Sequence, residues 1–286
     1  MIKETDAVSE VLGMMLLLSS MMIMISVIML VGMPMIESAK QTAKMDVAMS
    51  SFLSMQNDIE EVVRGPIWVT DPTNITNIYG VGPSRDTEFE LMDGTLTEFP
   101  SSRNLTYTNS SGKYFLNISS GRIEYEAKDE FIIFENGAVI RKYESGTPLM
   151  VSDPLFNILD TGKNYTVISI HAITLRGNIS SSGGEGKAWV ETRLVFYNQT
   201  FEANNSLNSN QTDITIFSQY PEVWKVFLDE KLQRSGLTPS NQGNTTGYNI
   251  SGAMPLEVQI YGKASDSTEL DIFLSVYETG IDLDIR

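Results

Sequence analysis

Between Glu10 and Glu37 the chain runs 26 positions, 11–36, without a charge. Met, Leu, Ile and Val fill the run on every side, as in Met14-Met15-Leu16-Leu17-Leu18 and Met21-Met22-Ile23-Met24-Ile25. As a helix it spans roughly 39 Å, more than the ~30 Å hydrocarbon core of a bilayer. It is too long for the apolar stretch of an ordinary secretory signal. A helix apolar all round takes lipid or other helices as its neighbours.

Past Glu37 the helical period persists but narrows to one face. Met45, Ala48, Phe52, Met55, Ile59 and Val62 are spaced alternately three and four apart, a heptad seam. Gln41, Lys44, Asp46, Ser50, Gln56, Asp58 and Glu60 occupy the other faces, and Gly65-Pro66 ends the pattern. The spacing predicts one helix over 8–64, roughly 85 Å long. Pro34, close to Gly32, removes a backbone hydrogen bond and is expected to kink or loosen it. The seam has no apolar partner within its own helix, so it covers either the head of its own chain or the helices of neighbours.

From Trp68 onward the period changes to two. Residues 131–135 and 138–143 flank Asn136-Gly137, the signature of a type I′ hairpin. A second hairpin is read from 113–118 and 122–126 through Ser119-Ser120-Gly121. Strands follow at 165–175, 187–197, 213–217, 256–261 and 269–277, with 177–186 as a flexible Ser/Gly loop. One helix interrupts them: Pro221 opens 221–234, Gly236 closes it, and Val223, Trp224, Val226, Phe227 and Leu232 mark its apolar side. The fold class is α+β. A long N-terminal hydrophobic helix, transmembrane or filament-core, precedes a mainly antiparallel, sandwich-like β head over 65–286 with one extra helix. Gly146-Thr147-Pro148 gives a weak signal for a subdivision of that head.

Composition narrows the chemistry. Twenty basic against 36 acidic residues leave a net charge of −16, which repels nucleic acid. There is no Cys, which removes disulfides, thiolate catalysis and thiolate metal sites. The one His, His171, sits in the alternation Val167-Ile168-Ser169-Ile170-His171-Ala172-Ile173 and reads as a plain strand residue. No nucleophile elbow, phosphate loop, zinc or EF-hand spacing occurs, so neither enzyme activity, cofactor nor metal is expected. Asp282 and Asp284 alternate as solvent-facing acids of a final strand.

Asn-x-Ser/Thr acceptors begin at Asn74, Asn104, Asn109, Asn117, Asn164, Asn178, Asn198, Asn204, Asn210, Asn244 and Asn249. That is 11 of 18 Asn, where Ser and Thr at 53 of 286 positions would supply about three or four. Turn composition accounts for several of them. Glycosylation needs an exposed loop outside the membrane, so the expected topology has the N-terminus inside and the head outside. The stretch 198–210, with Asn244 and Asn249, is the expected place for loop-exposed acceptors.

The segment Asp6-Ala7-Val8-Ser9-Glu10-Val11-Leu12-Gly13, leading straight into the apolar run, resembles the N-termini of archaeal type IV pilin-like proteins. Gly121-Arg122-Ile123-Glu124-Tyr125, Glu135-Asn136-Gly137-Ala138-Val139-Ile140-Arg141 and Trp224-Lys225-Val226-Phe227-Leu228 are similar to features of their heads. The resemblance implies a prepilin-type peptidase cutting between Ala7 and Val8, which makes 1–7 a leader. It also implies a helix-start acid at Glu10, and a structural subunit whose helices bundle, the seam serving as assembly seam, while glycosylated heads face out on the cell surface. Glu10 stands where many such leaders have Pro. The alternative is a single-pass membrane-anchored surface glycoprotein that displays the head for adhesion or ligand binding without polymerising.

The resemblance makes a prediction at the terminus. The mature chain is expected to start at Val8 when its intact mass and N-terminal peptide are measured by mass spectrometry. A surface protein that keeps Met1 would remove the leader from the account.

Overall fold

A computed structural model describes residues 3–64, 77–79, 84–101, 106–110, 113–119, 121–160, 166–202, 211–240, 247–262 and 272–286. The chain divides into two compact units, Met1–Asp46 and Val47–Arg286. The first helix, α1 (Lys3–Arg64), runs through both and continues unbroken across Pro34. It starts about one turn before the expected Val8.

In the first unit every side chain from Val11 to Ile36 is exposed, Gly32 alone being intermediate. A wholly uncovered apolar surface of this length is unstable in water. Among the described residues α1 is the one helix long and apolar enough to cross a membrane. By length and composition it is a candidate membrane-spanning helix.

In the second unit the strands are β1 (Asn77–Tyr79), β2 (Ser84–Glu90), β3 (Gly94–Phe99), β4 (Thr106–Ser110), β5 (Lys113–Ser119), β6 (Arg122–Ala127), β7 (Glu130–Glu135), β8 (Ala138–Lys142) and β9 (Leu149–Ser152). They continue with β10 (Phe156–Asp160), β11 (Thr166–Arg176), β12 (Ser180–Gly184), β13 (Lys187–Glu202), β14 (Gln211–Phe217), β15 (Gly247–Gly252), β16 (Leu256–Gly262) and β17 (Ile272–Ile285). The second helix, α2 (Pro221–Arg234), lies between β14 and β15 in the chain. Three sheets result. The first has the order β1-β13-β17-β11-β10 with β2 also on β13; the second is β12-β3-β6-β7-β8-β9; the third is β15-β16-β14-β5-β4. Pairing is antiparallel except for β11 with β17 and β14 with β5. The head is therefore mostly antiparallel and β-rich with one further helix, the α+β class read from the sequence.

The Asn136-Gly137 hairpin forms between β7 and β8 as the sequence predicts, with φ of 51° and 87° at the two turn residues. The second expected hairpin does not form. β5 joins the third sheet beside β4 and β14, while β6 joins the second sheet between β3 and β7. Two adjacent alternating runs thus cross from one sheet to another. The Ser/Gly stretch is also not only a loop, because β12 pairs with β3 along its length.

α2 has the predicted bounds. Pro221 sits in its first turn, and Gly236 with φ of 79° follows its C-cap Ser235. Val223, Trp224, Phe227, Leu228 and Leu232 are buried, but Val226 is exposed and leaves the apolar side assigned to it. This helix joins Leu116, Ile118, Ile168, Ile170, Ile214 and Val258 in one core shared by strands of the first and third sheets.

The part of the heptad seam that lies in the second unit is covered by the head: Ala48, Phe52, Met55, Ile59 and Val62 are all at most 1 % exposed. Phe52 meets Phe89 of β2 edge-on, with ring centroids 5.2 Å apart. Of the two coverings open to the seam, the head of its own chain or the helices of neighbours, these five residues take the first. Gln56, assigned to the polar side, is buried as well. Its Nε2 donates to the carbonyl of Gly137 at 2.7 Å and to that of Asp153 at 3.1 Å. Thr87 Oγ1 donates to Asp58 at 2.6 Å, and Arg85 pairs with Glu61 at 2.7 Å. Residues 47–64 thus act as an integral layer of the head.

Phe52→Ala should therefore destabilise the head by about 3–5 kcal/mol, the cost of a large cavity, and Phe52→Asp by more through an unpaired buried charge. Urea or thermal unfolding of the detergent-solubilised chain reads this. Unchanged unfolding in both variants would place the ring outside the core.

Candidate functional site

Alternation on two adjacent strands builds the most distinctive polar site among the described residues. On β17, Ile281 and Leu283 point into the core, so Asp282 and Asp284 point out. On β13, Ala188, Val190 and Thr192 point in, which turns Trp189, Glu191 and Arg193 outward. The antiparallel register places Arg193 opposite Asp282 and Glu191 opposite Asp284. Opposite charges therefore face each other at Arg193 and Asp282, while the like-charged Glu191 and Asp284 face each other with Arg286 paired to both. Arg193 forms an ion pair with Asp282 and Arg286 with Glu191, while Arg286 Nε donates to Asp284 Oδ2 at 2.8 Å.

The segment leaving β11 supplies the other wall. Gly177, Asn178 and Ser180 close one side of a cavity of about 360 Å³ whose remaining lining is Glu191, Arg193, Asp282, Leu283, Asp284 and Arg286. Gly177 has φ of +137°, and a Cβ there would stand 3.0 Å from Glu98 Oε1 and 3.1 Å from the Leu283 carbonyl. Conformation and space both require glycine here.

Glu98 lies beneath this wall on β3, fully buried. Ser180 Oγ donates to its Oε2 at 3.0 Å, while Oε1 has no hydrogen-bond partner among the described residues. Burial pushes its carboxyl up to about 7; the Ser180 bond opposes that, and the Asp282 and Asp284 charges add to it. A second buried acid, Glu135 on β7, is also pushed up to about 7 by burial, against bonds from Ser218 and Trp224. Trp224 Nε1 donates to Glu135 Oε1 at 3.2 Å, tying α2 to the second sheet. Among the described residues no three Asp, Glu or His side chains converge as metal ligands.

Of the residues singled out in the sequence, Asp282 and Asp284 belong to this cavity as partners of Arg193 and Arg286. His171 lies on β11, half-buried, with Nε2 2.6 Å from Thr279 Oγ1 and its ring beside Tyr277. Ala7, Val8 and Glu10 lie on α1, with side chains outside the described residues.

Among the glycosylation acceptors, Asn178 is exposed at the cavity wall, and Asn117 is exposed on β5 with Nδ2 donating to Thr106 Oγ1 at 3.0 Å. Asn249 is half-exposed on β15. Asn198 lies within β13, paired to Asn77 on one side and Glu278 on the other. Neither Asn198 nor Asn249 is in the loop expected of it. Asn109 lies on β4 with its side chain outside the described residues. Asn74, Asn104, Asn164, Asn204, Asn210 and Asn244 also fall outside them.

Sequence reading missed Glu98, Glu135 and the paired arginines. The available signal was register: Glu98 follows Gly94 and Leu96 on the inward face of β3. Residues 72–254 match a family of unknown function (DUF7289). No curated protein and no solved structure matches the chain.

The two buried acids give stability a pH dependence with a definite sign. Their pKa values rise from 4.5 unfolded to about 7 folded, so the folded chain binds more protons between those values. Their contribution is full below about 4.5 and is lost as pH rises through 7. The thermal midpoint should fall between pH 5 and pH 7.5, and Glu98→Gln with Glu135→Gln should flatten that fall. A slope unchanged in the double variant would show that both acids ionise normally.

Proposed function

The chain belongs to the family of unknown function DUF7289, and we propose, from its anchor and head together, that it is a structural subunit of an archaeal type IV pilus-like surface filament. The apolar helix holds the subunit in the membrane until assembly, and a prepilin-type peptidase removes 1–7. In the filament the helices bundle with their own kind, and the glycosylated heads face out. One observation carries this reading: the charge-free run 11–36 is exposed on every side of α1, directly behind a pilin-like leader. A surface of this kind is covered equally well by lipid or by identical helices.

The filled seam favours a second reading. With residues 48–62 covered by the head, a filament has only the exposed apolar run left for helix bundling. A single-pass surface glycoprotein that does not polymerise needs nothing more than that run. Electron microscopy of wild-type cells separates the cases, and replacing Leu17 and Ile23 with Asp tests the apolar run that both require. Under the filament reading wild-type cells carry filaments visible by electron microscopy, and the variant loses both filaments and membrane retention. Wild-type cells that retain the protein in membranes yet show no filament under any growth condition would leave the anchored glycoprotein as the function.

A further inference from the structure

We infer that the cavity walled by Asn178, Glu191, Arg193, Asp282 and Asp284 is a saccharide subsite that takes a neutral hexose ring, with Trp189 at its edge. The volume of about 360 Å³ lies at the small end of the roughly 300–1,000 Å³ typical of ligand sites. That suits one or two sugar rings.

The charged groups of the walls are already paired with one another. Arg193 is held by Asp282, and Arg286 is shared between Asp284 and Glu191. Three carboxylates against two guanidiniums leave the wall net negative, which repels an anion, and any charged ligand would have to break one of these pairs to form its own. An apolar ligand would strip water from every one of these groups without replacing its hydrogen bonds. A hydroxyl both donates and accepts. A ring bearing several hydroxyls therefore bridges a carboxylate and its guanidinium neighbour while leaving the pair intact.

Trp189 supplies the apolar contact that a sugar's C–H face needs. It is 46 % exposed and shares the outer face of β13 with Glu191 and Arg193. Its backbone N–H donates to the Arg286 carbonyl at 3.0 Å, and Arg286 N–H donates back at 2.9 Å. The indole and the Arg286 side chain are thus cross-strand neighbours at the cavity's edge. The half of the indole left in water faces solvent beside Arg286, where a ligand in the cavity can reach it.

Two sources could supply the sugar. Asn178, exposed on the cavity wall, starts the acceptor Asn178-Ile179-Ser180, so a glycan attached there would begin at the mouth. That source rests on the glycosylation included in the proposed function. A glycan from a neighbouring molecule or surface does not.

The test uses the full chain in a detergent without a sugar headgroup, made in a bacterial host that attaches no glycan. Saturation-transfer NMR with glucose, galactose, mannose and glucuronate reads binding. The expected result is saturable binding of at least one neutral hexose with Kd on the order of 1 mM. Binding should weaken about tenfold in Trp189→Ala and in Glu191→Gln, with thermal midpoints close to wild type. Chain from a glycosylating host then distinguishes the sources. Loss of hexose binding that is restored by Asn178→Gln assigns the site to the chain's own glycan, and undiminished binding assigns it to an external one. No saturable binding in bare chain, binding indifferent to both variants, or preference for glucuronate would overturn the inference. None of these outcomes depends on whether filaments form.

Discussion

The head depends on the burial of one helical face. Residues 47–64 of α1 bring Phe52, Met55, Ile59 and Val62 to full or nearly full burial, and Gln56 locks this layer by donating to the carbonyl of Gly137 in the β7–β8 turn. Buried amide groups are costly unless paired, so that bond fixes position as well as contributing energy. The turn accepts the constraint because Asn136 and Gly137 hold positive φ, and Asn136 Oδ1 in turn accepts from the Ile173 N–H of β11 at 2.9 Å. Helix, second sheet and first sheet therefore meet at one tight turn.

The helix has different surroundings in each of the two units. Up to Ile36 its side chains are exposed and apolar; from Ala48 onward one face is dry and protein-covered. Both states obey the same rule, that apolar area leaves water, but they satisfy it by different means. The first needs an external apolar medium and the second needs the folded head.

Element type was legible wherever periodicity was long and punctuated. The heptad seam, the Asn-Gly turn and the Pro-to-Gly bounds of α2 all follow from local rules and all appear. Partners were legible much less. Whether Tyr114–Ile118 pairs with its sequence neighbour or with β14, a hundred residues away, depends on which core needs Leu116 and Ile118, and that is settled by tertiary packing. The seam shows the same limit: its spacing announces a buried face without naming what buries it. The cavity was the least legible part. Asp282 and Asp284 look like ordinary outward acids until the register sets Arg193 and Glu191 against them, and only the alternation after Gly94 and Leu96 marks Glu98 as inward.

The place of β17 carries a consequence for how the protein is made. It lies between β13 and β11, and its parallel register joins Thr166 to Ile272. The first sheet therefore lacks its middle strand until long after β11 has left the ribosome. Synthesis adds on the order of 5–20 residues per second, so for several seconds the edges of β11 and β13 have no partner. The apolar run of α1, by contrast, is made before any strand of the head and needs no tertiary partner within the head. An incomplete first sheet therefore waits with two strand edges open, an interval in which they can pair with the edges of other chains before β17 arrives to close them.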